Sequence, residues 1–79
     1  MESDTSAVGC VGVLTVATRG TDGSGEVLIS VRGGSEAYLA WSDDPLPKGR
    51  SVLVVRARGS RTVEVVPWDD RVTPLPKTS

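Results

Sequence analysis

The fold class this sequence predicts is all-β: a small five-stranded antiparallel OB-fold-like barrel. Three observations predict it. Apolar residues alternate with polar ones in short runs, the period of a strand with one buried face. Glycine, proline and acidic clusters punctuate those runs. No segment carries the period of an amphipathic helix.

The first strand reads from Val11 to Thr18, "VGVLTVAT". The turn "RGTDGSG" follows, whose glycines accept positive φ. The second strand runs from Glu26 to Arg32, with Val27, Ile29 and Val31 on one face. Gly33-Gly34 fits a two-residue hairpin turn. The third strand covers Glu36 to Trp41, with Ala37, Leu39 and Trp41 assigned to the inner face. Glu36, Tyr38 and Ala40 then take the outer one.

The connection "DDPLPKG" is too short for a helix of any length, and Pro45 and Pro47 restrict its backbone. Lys48-Gly49 reads as a corner with a solvated lysine. The fourth strand runs from Ser51 to Arg58 and changes phase midway: Val52 and Val54 lead, then Val55 and Ala57. Such a switch predicts a bulge or strong coiling. Gly59-Ser60 makes a tight turn. The fifth strand spans Arg61 to Val66, with Val63 and Val65 inward, and Pro67 ends it.

The expected core is therefore Val13, Val27, Ile29, Val31, Leu39, Val52, Val54, Val63 and Val65. The expected barrel domain is 8–68, between a flexible N-terminus at 1–7 and a charged, proline-rich flexible tail at 69–79. Five short strands of this kind suit an OB fold or a Src-homology-type barrel.

Composition narrows the function. The chain has 79 residues, a net charge of −1 and no histidine. Its pI is about 5.2. A nucleic-acid or anionic-membrane surface usually needs a basic excess, which is missing here. Cys10 is the only cysteine, so no internal disulfide forms, and its valine neighbours mark it as a small packing residue. The acidic first residues do not read as a signal peptide, and no apolar run approaches the roughly 18 residues of a membrane span. The expectation is a cytoplasmic chain without direct membrane insertion.

Catalytic chemistry finds no support. Ser24, Ser30 and Ser42 have no histidine to serve them as base. Asp43-Asp44 and Asp69-Asp70 lack the ligand spacing of a calcium loop. "GTDGSG" has no following helix or GK[ST] element, so it is a hairpin turn rather than a phosphate loop. No catalytic, cofactor or metal residue is assigned. Single-stranded nucleic acid is the alternative ligand, since OB folds stack bases on aromatics within a positive groove. Here Glu26, Glu36 and Glu64 offset Arg32, Arg56, Arg58 and Arg61, and no nucleic acid is expected.

Four stretches in order resemble a known family. "VGCVGVLTV" has Gly9 and Gly12 in G-x-x-G positions, and "GEVLISVRG" is a glycine-led second strand. "YLAWSDDPLPKGRSVLVV" combines a tyrosine-x-alanine strand, an acidic turn, a K-G corner and a V-x-V-V strand. "GSRTVEVVP" closes the set. Together they resemble the C-terminal soluble domain of NfeD-like (nodulation formation efficiency D) proteins, a five-stranded OB-fold barrel. The first turn is longer than the family's and lacks its proline, and Thr15 stands one position off.

The resemblance implies a protein-interaction or adaptor module acting with a flotillin- or stomatin-like membrane scaffold protein, at the membrane only through that partner. The serine-protease region of some long members has no counterpart here, so no protease function carries over. The residues expected to bind the partner are Tyr38, Arg56, Arg58 and Trp68. Tyr38 belongs to the assigned outer face, Arg56 and Arg58 to the outer phase of the fourth strand. Trp68 follows the closing proline, where it could equally cover an open barrel end.

Overall fold

The structure is a computed structural model, and it describes residues 7–31 and 33–69. Five strands are present: β1 (Val11–Val16), β2 (Gly25–Val31), β3 (Gly34–Trp41), β4 (Ser51–Gly59) and β5 (Thr62–Pro67). They close into a barrel in the order β1-β2-β3-β5-β4, with β4 returning to β1. This is the Greek-key arrangement of an OB fold.

Four of the five pairings are antiparallel, and β3 runs parallel to β5. The expected five-stranded barrel is found, antiparallel except at this one seam. The reason is parity: alternating directions around a closed ring need an even number of strands. Five strands must leave at least one parallel pair. Here it joins Leu39 to Thr62, Ala40 to Val63 and Trp41 to Glu64.

The buried core contains Leu14, Val27, Ile29, Tyr38, Ala40, Leu46, Val52, Val54, Val63 and Val65, joined by Ala7. Six of the nine expected core residues stand in it. Val13 and Leu39 do not: they are 45% and 50% exposed. The side chain of Val31 lies outside the described residues. Both departures are inversions of strand phase. In β1, Gly12 and Leu14 face inward; in β3, Tyr38 and Ala40 do.

Gly12 explains the first inversion. A Cβ built there would lie 2.6 Å from the Leu28 carbonyl oxygen and 2.8 Å from Val27 Cγ2. β2 crosses β1 too closely for any side chain at that inward position. In β3, Ala40 lies fully buried and pairs with Gly25 of β2. A tapering small barrel takes small residues at its tight level and larger ones elsewhere. Tyr38 fills the wider space, and its hydroxyl donates to Glu36 Oε1 at 3.4 Å.

The "DDPLPKG" connection carries Leu46 into the core, where it is 9% exposed. The Thr18 N–H donates to the Leu46 carbonyl at 3.0 Å, and the Leu46 N–H donates back to Thr18 Oγ1 at 2.9 Å. Gly49 then turns the chain with φ +90° and donates its N–H to the Leu14 carbonyl at 2.8 Å. Lys48 is exposed, so this stretch is a corner pinned by backbone bonds. Ala7 is fully buried, so packing starts one residue earlier than the expected domain boundary. Of the segments expected to be flexible, 1–7 and 69–79, residues 1–6 and 70–79 lie outside the described residues. Among the described residues no helix is long and apolar enough to cross a membrane.

Candidate functional site

The predicted phase change in β4 is a bulge between Val54 and Arg56. Its consequence for the surface is direct. Val52 and Val54 point inward, and unbroken alternation would send Arg56 and Arg58 after them into the core. An unpaired buried guanidinium is prohibitively costly. The extra residue resets the phase, so Ala57 is half-buried and Arg56 and Arg58 emerge on the outside.

There the two arginines meet Glu64, which faces Arg56 across the β4–β5 ladder. Arg58 Nε lies 3.2 Å from Glu64 Oε2, and Arg56 Nη1 lies 3.9 Å from Glu64 Oε1. Trp41 stands beside Glu64 across the parallel seam. The Arg58 Cζ sits 5.2 Å from the Trp41 ring centroid, in cation–π range. Partly exposed pairs of this kind add little stability. Their effect is to hold Arg58 in one place.

Two valine doublets complete the site. In Val54-Val55 and Val65-Val66 the first valine is buried and the second exposed, because adjacent residues point to opposite faces. Val55 and Val66 line a groove of about 360 Å³ together with Trp41, Asp43, Arg58 and Glu64. The groove lies on the outer face of β3, β5 and β4.

Of the four expected partner-binding residues, Arg58 lines this groove and Arg56 stands beside it through Glu64. Trp68 does not line it. That residue is 38% exposed, with its N–H donated to the Ser51 carbonyl at 2.9 Å. Tyr38 is corrected outright: it is 4% exposed and cannot serve as a surface contact. Its ring lies under Arg61, whose Cζ is 5.5 Å from the centroid, while Arg61 Nη1 meets Glu36 Oε1 at 2.7 Å.

Sequence reasoning did not include Trp41 among the partner-binding residues, yet it lines the groove. The signal available was the bulge itself. Once Arg56 and Arg58 face outward, an aromatic neighbour on the same surface becomes a natural partner. The doublets likewise require one exposed valine each.

Among the described residues no group of three or more His, Cys, Asp or Glu could hold a metal ion. Ser42 is committed to structure: its hydroxyl donates to the Asp44 carbonyl at 2.7 Å and lies 2.6 Å from Thr18 Oγ1. Cys10 is half-buried against the core.

The family model of the NfeD C-terminal domain matches residues 11–66. The solution structure of the soluble domain of the NfeD protein YuaF from Bacillus subtilis is similar, with a TM-score of 0.63 and 33% sequence identity. The match covers 75% of this chain and 70% of that one. No curated protein matches.

Proposed function

The chain belongs to the NfeD C-terminal domain family, and from that premise we propose that it is a non-catalytic protein-interaction module, an adaptor for a flotillin- or stomatin-like scaffold protein. One observation carries the reading. The outer face of β3, β5 and β4 presents a groove in which an arginine is held over a tryptophan beside two exposed valines. Tryptophan and arginine are the side chains most enriched at binding hot spots. A side chain fixed before binding loses less entropy on complex formation.

Turnover has little to draw on, since the sequence contains no histidine and Ser42 is engaged with Thr18 and Asp44. The module would work in the cytoplasm and reach the membrane only through its partner. The test is co-purification of the tagged chain from its host with a flotillin- or stomatin-like protein, repeated with Arg58→Ala. Retention by the wild type and loss by the variant supports the reading. Recovery of a converted metabolite, with no protein retained, overturns it.

A further inference from the structure

One outer face of the barrel is apolar where an antiparallel sheet ordinarily turns polar residues to solvent. Two rows of the ladder compose it. In the first, Leu28 of β2 pairs with Val13 of β1, and Val13 pairs with Ser51 of β4. The Trp68 N–H extends this row by donating to the Ser51 carbonyl. In the second, Val11 of β1 pairs with Leu53 of β4, and Leu53 with Val66 of β5. Val11, Val13, Leu28, Val66 and Trp68 are between 38% and 45% exposed, and Leu53 is half-buried. None of these seven residues is charged. Glu26 and Glu64 stand two positions from Leu28 and Val66 along β2 and β5, at the margin of the face.

We propose that this face joins two copies of the chain about a twofold axis that passes through the β1–β4 pair. Charge is the first argument. A twofold contact sets one surface against itself, so a charge near the axis meets its like. A face without charges is self-complementary, and a chain of net charge −1 brings little repulsion into a pair. Area is the second argument. A stable interface buries about 800 Å² on each partner, roughly a sixth of the 4770 Å² surface of this chain. A face across four of the five strands is of that order, with six apolar side chains at its centre and Thr15, Glu26 and Ser30 at its rim. That is the core-and-rim composition of protein interfaces. Symmetry then sets the pairing. Trp68, at the β5 end of one protomer, lies over Leu28, at the β2 end of its partner. The contact meets the groove only at Val66, and it stands or falls apart from the adaptor reading.

Sedimentation equilibrium of the 79-residue chain, from low micromolar to millimolar concentration, tests this. The expected mass rises from 8.3 kDa toward twice that value. Val13→Glu sets two like charges near the axis and should weaken the dimer by roughly tenfold or more. Trp68→Ala removes an aromatic anchor from each side and should weaken it by roughly tenfold. Leu39→Ser, at an exposed position of β3 outside the face, should leave association unchanged. Thermal midpoints of dilute samples separate lost association from lost folding. Trp68 follows the last strand, so Trp68→Ala decides the matter where Val13→Glu unfolds the barrel. A chain monomeric at every concentration would overturn the proposal. So would a dimer indifferent to both variants, or an open series of larger assemblies. A monomer that binds phosphatidylcholine vesicles, and loses them on Val13→Glu, would overturn it as well and make the face a lipid surface.

Discussion

Thr18 and Leu46 hold each other by two hydrogen bonds, N–H to carbonyl at 3.0 Å and N–H to Oγ1 at 2.9 Å. The second continues inward. Ser42 gives its proton to the Asp44 carbonyl, so the Thr18 hydroxyl donates to Ser42 across 2.6 Å. Two buried hydroxyls thereby tie the connection between β3 and β4 to the end of β1. Thr18→Val keeps the shape but leaves the Leu46 N–H without its acceptor. It should cost about 1–3 kcal/mol, measured by urea unfolding. Thr18→Ser retains the hydroxyl and should cost distinctly less.

Strand phase can be checked with neighbouring residues in β3. Tyr38 is 4% exposed and Leu39 50%. Tyr38→Ala should destabilise by about 3 kcal/mol or more, Leu39→Ala by less than about 1 kcal/mol. The reverse ranking would restore the phase expected from sequence. Ile29, fully buried in β2, serves as the core reference. Its replacement by alanine should cost about 2–5 kcal/mol.

Two glycines should resist alanine for different reasons. At Gly12 the added methyl meets the Leu28 carbonyl, and overpacking of this kind costs about 1–3 kcal/mol. At Gly49 nothing lies within 4 Å of the new atom, yet φ is +90°. Backbone strain alone should then cost about 1–3 kcal/mol. Shifts in the chemical-denaturation midpoint at unchanged slope would register both. An unchanged Gly49→Ala midpoint would remove the positive-φ corner.

The groove should separate binding from stability. Arg58→Ala and Trp41→Ala should weaken a partner complex by about 1–3 kcal/mol, read by calorimetric titration. Arg58→Ala should barely move the thermal midpoint, because exposed ion pairs contribute little. Equal loss of binding from Trp68→Ala would shift the interface away from the groove.

Single-stranded DNA and RNA should bind negligibly at physiological salt. Arg56 and Arg58 are met by Glu64 and Arg61 by Glu36, so these three guanidiniums already face carboxylates. Fluorescence anisotropy with labelled oligonucleotides is the measurement. A micromolar complex that weakens steeply with salt would contradict it.

Sequence by itself determined the five strands, the β4 bulge and the corner at Gly49, while the two hairpin turns fall one position from where it put them, since Gly34 belongs to β3 and Gly59 to β4. Each has a local cause. Alternation marks a strand, glycine marks positive φ, and Val54-Val55 followed by two arginines demands a change of phase. Arg56 and Arg58 were legible as surface residues for the same reason.

Only the tertiary structure decided which faces of β1 and β3 turn inward. Both strands carry apolar residues on each face: Val11 and Val13 against Leu14, Leu39 and Trp41 against Tyr38 and Ala40. Local hydrophobicity then has no strong preference for either face. Barrel closure removes that choice. β2 lies too near Gly12 for any Cβ, and Gly25, which pairs with the buried Ala40, is itself crowded by the Val16 and Ala17 backbone. The odd strand count forces the parallel seam that sets Trp41 beside Glu64. Tyr38 is buried and Trp41 joins the groove because space inside a ring of five strands is scarce, a constraint that alternation along one strand does not contain.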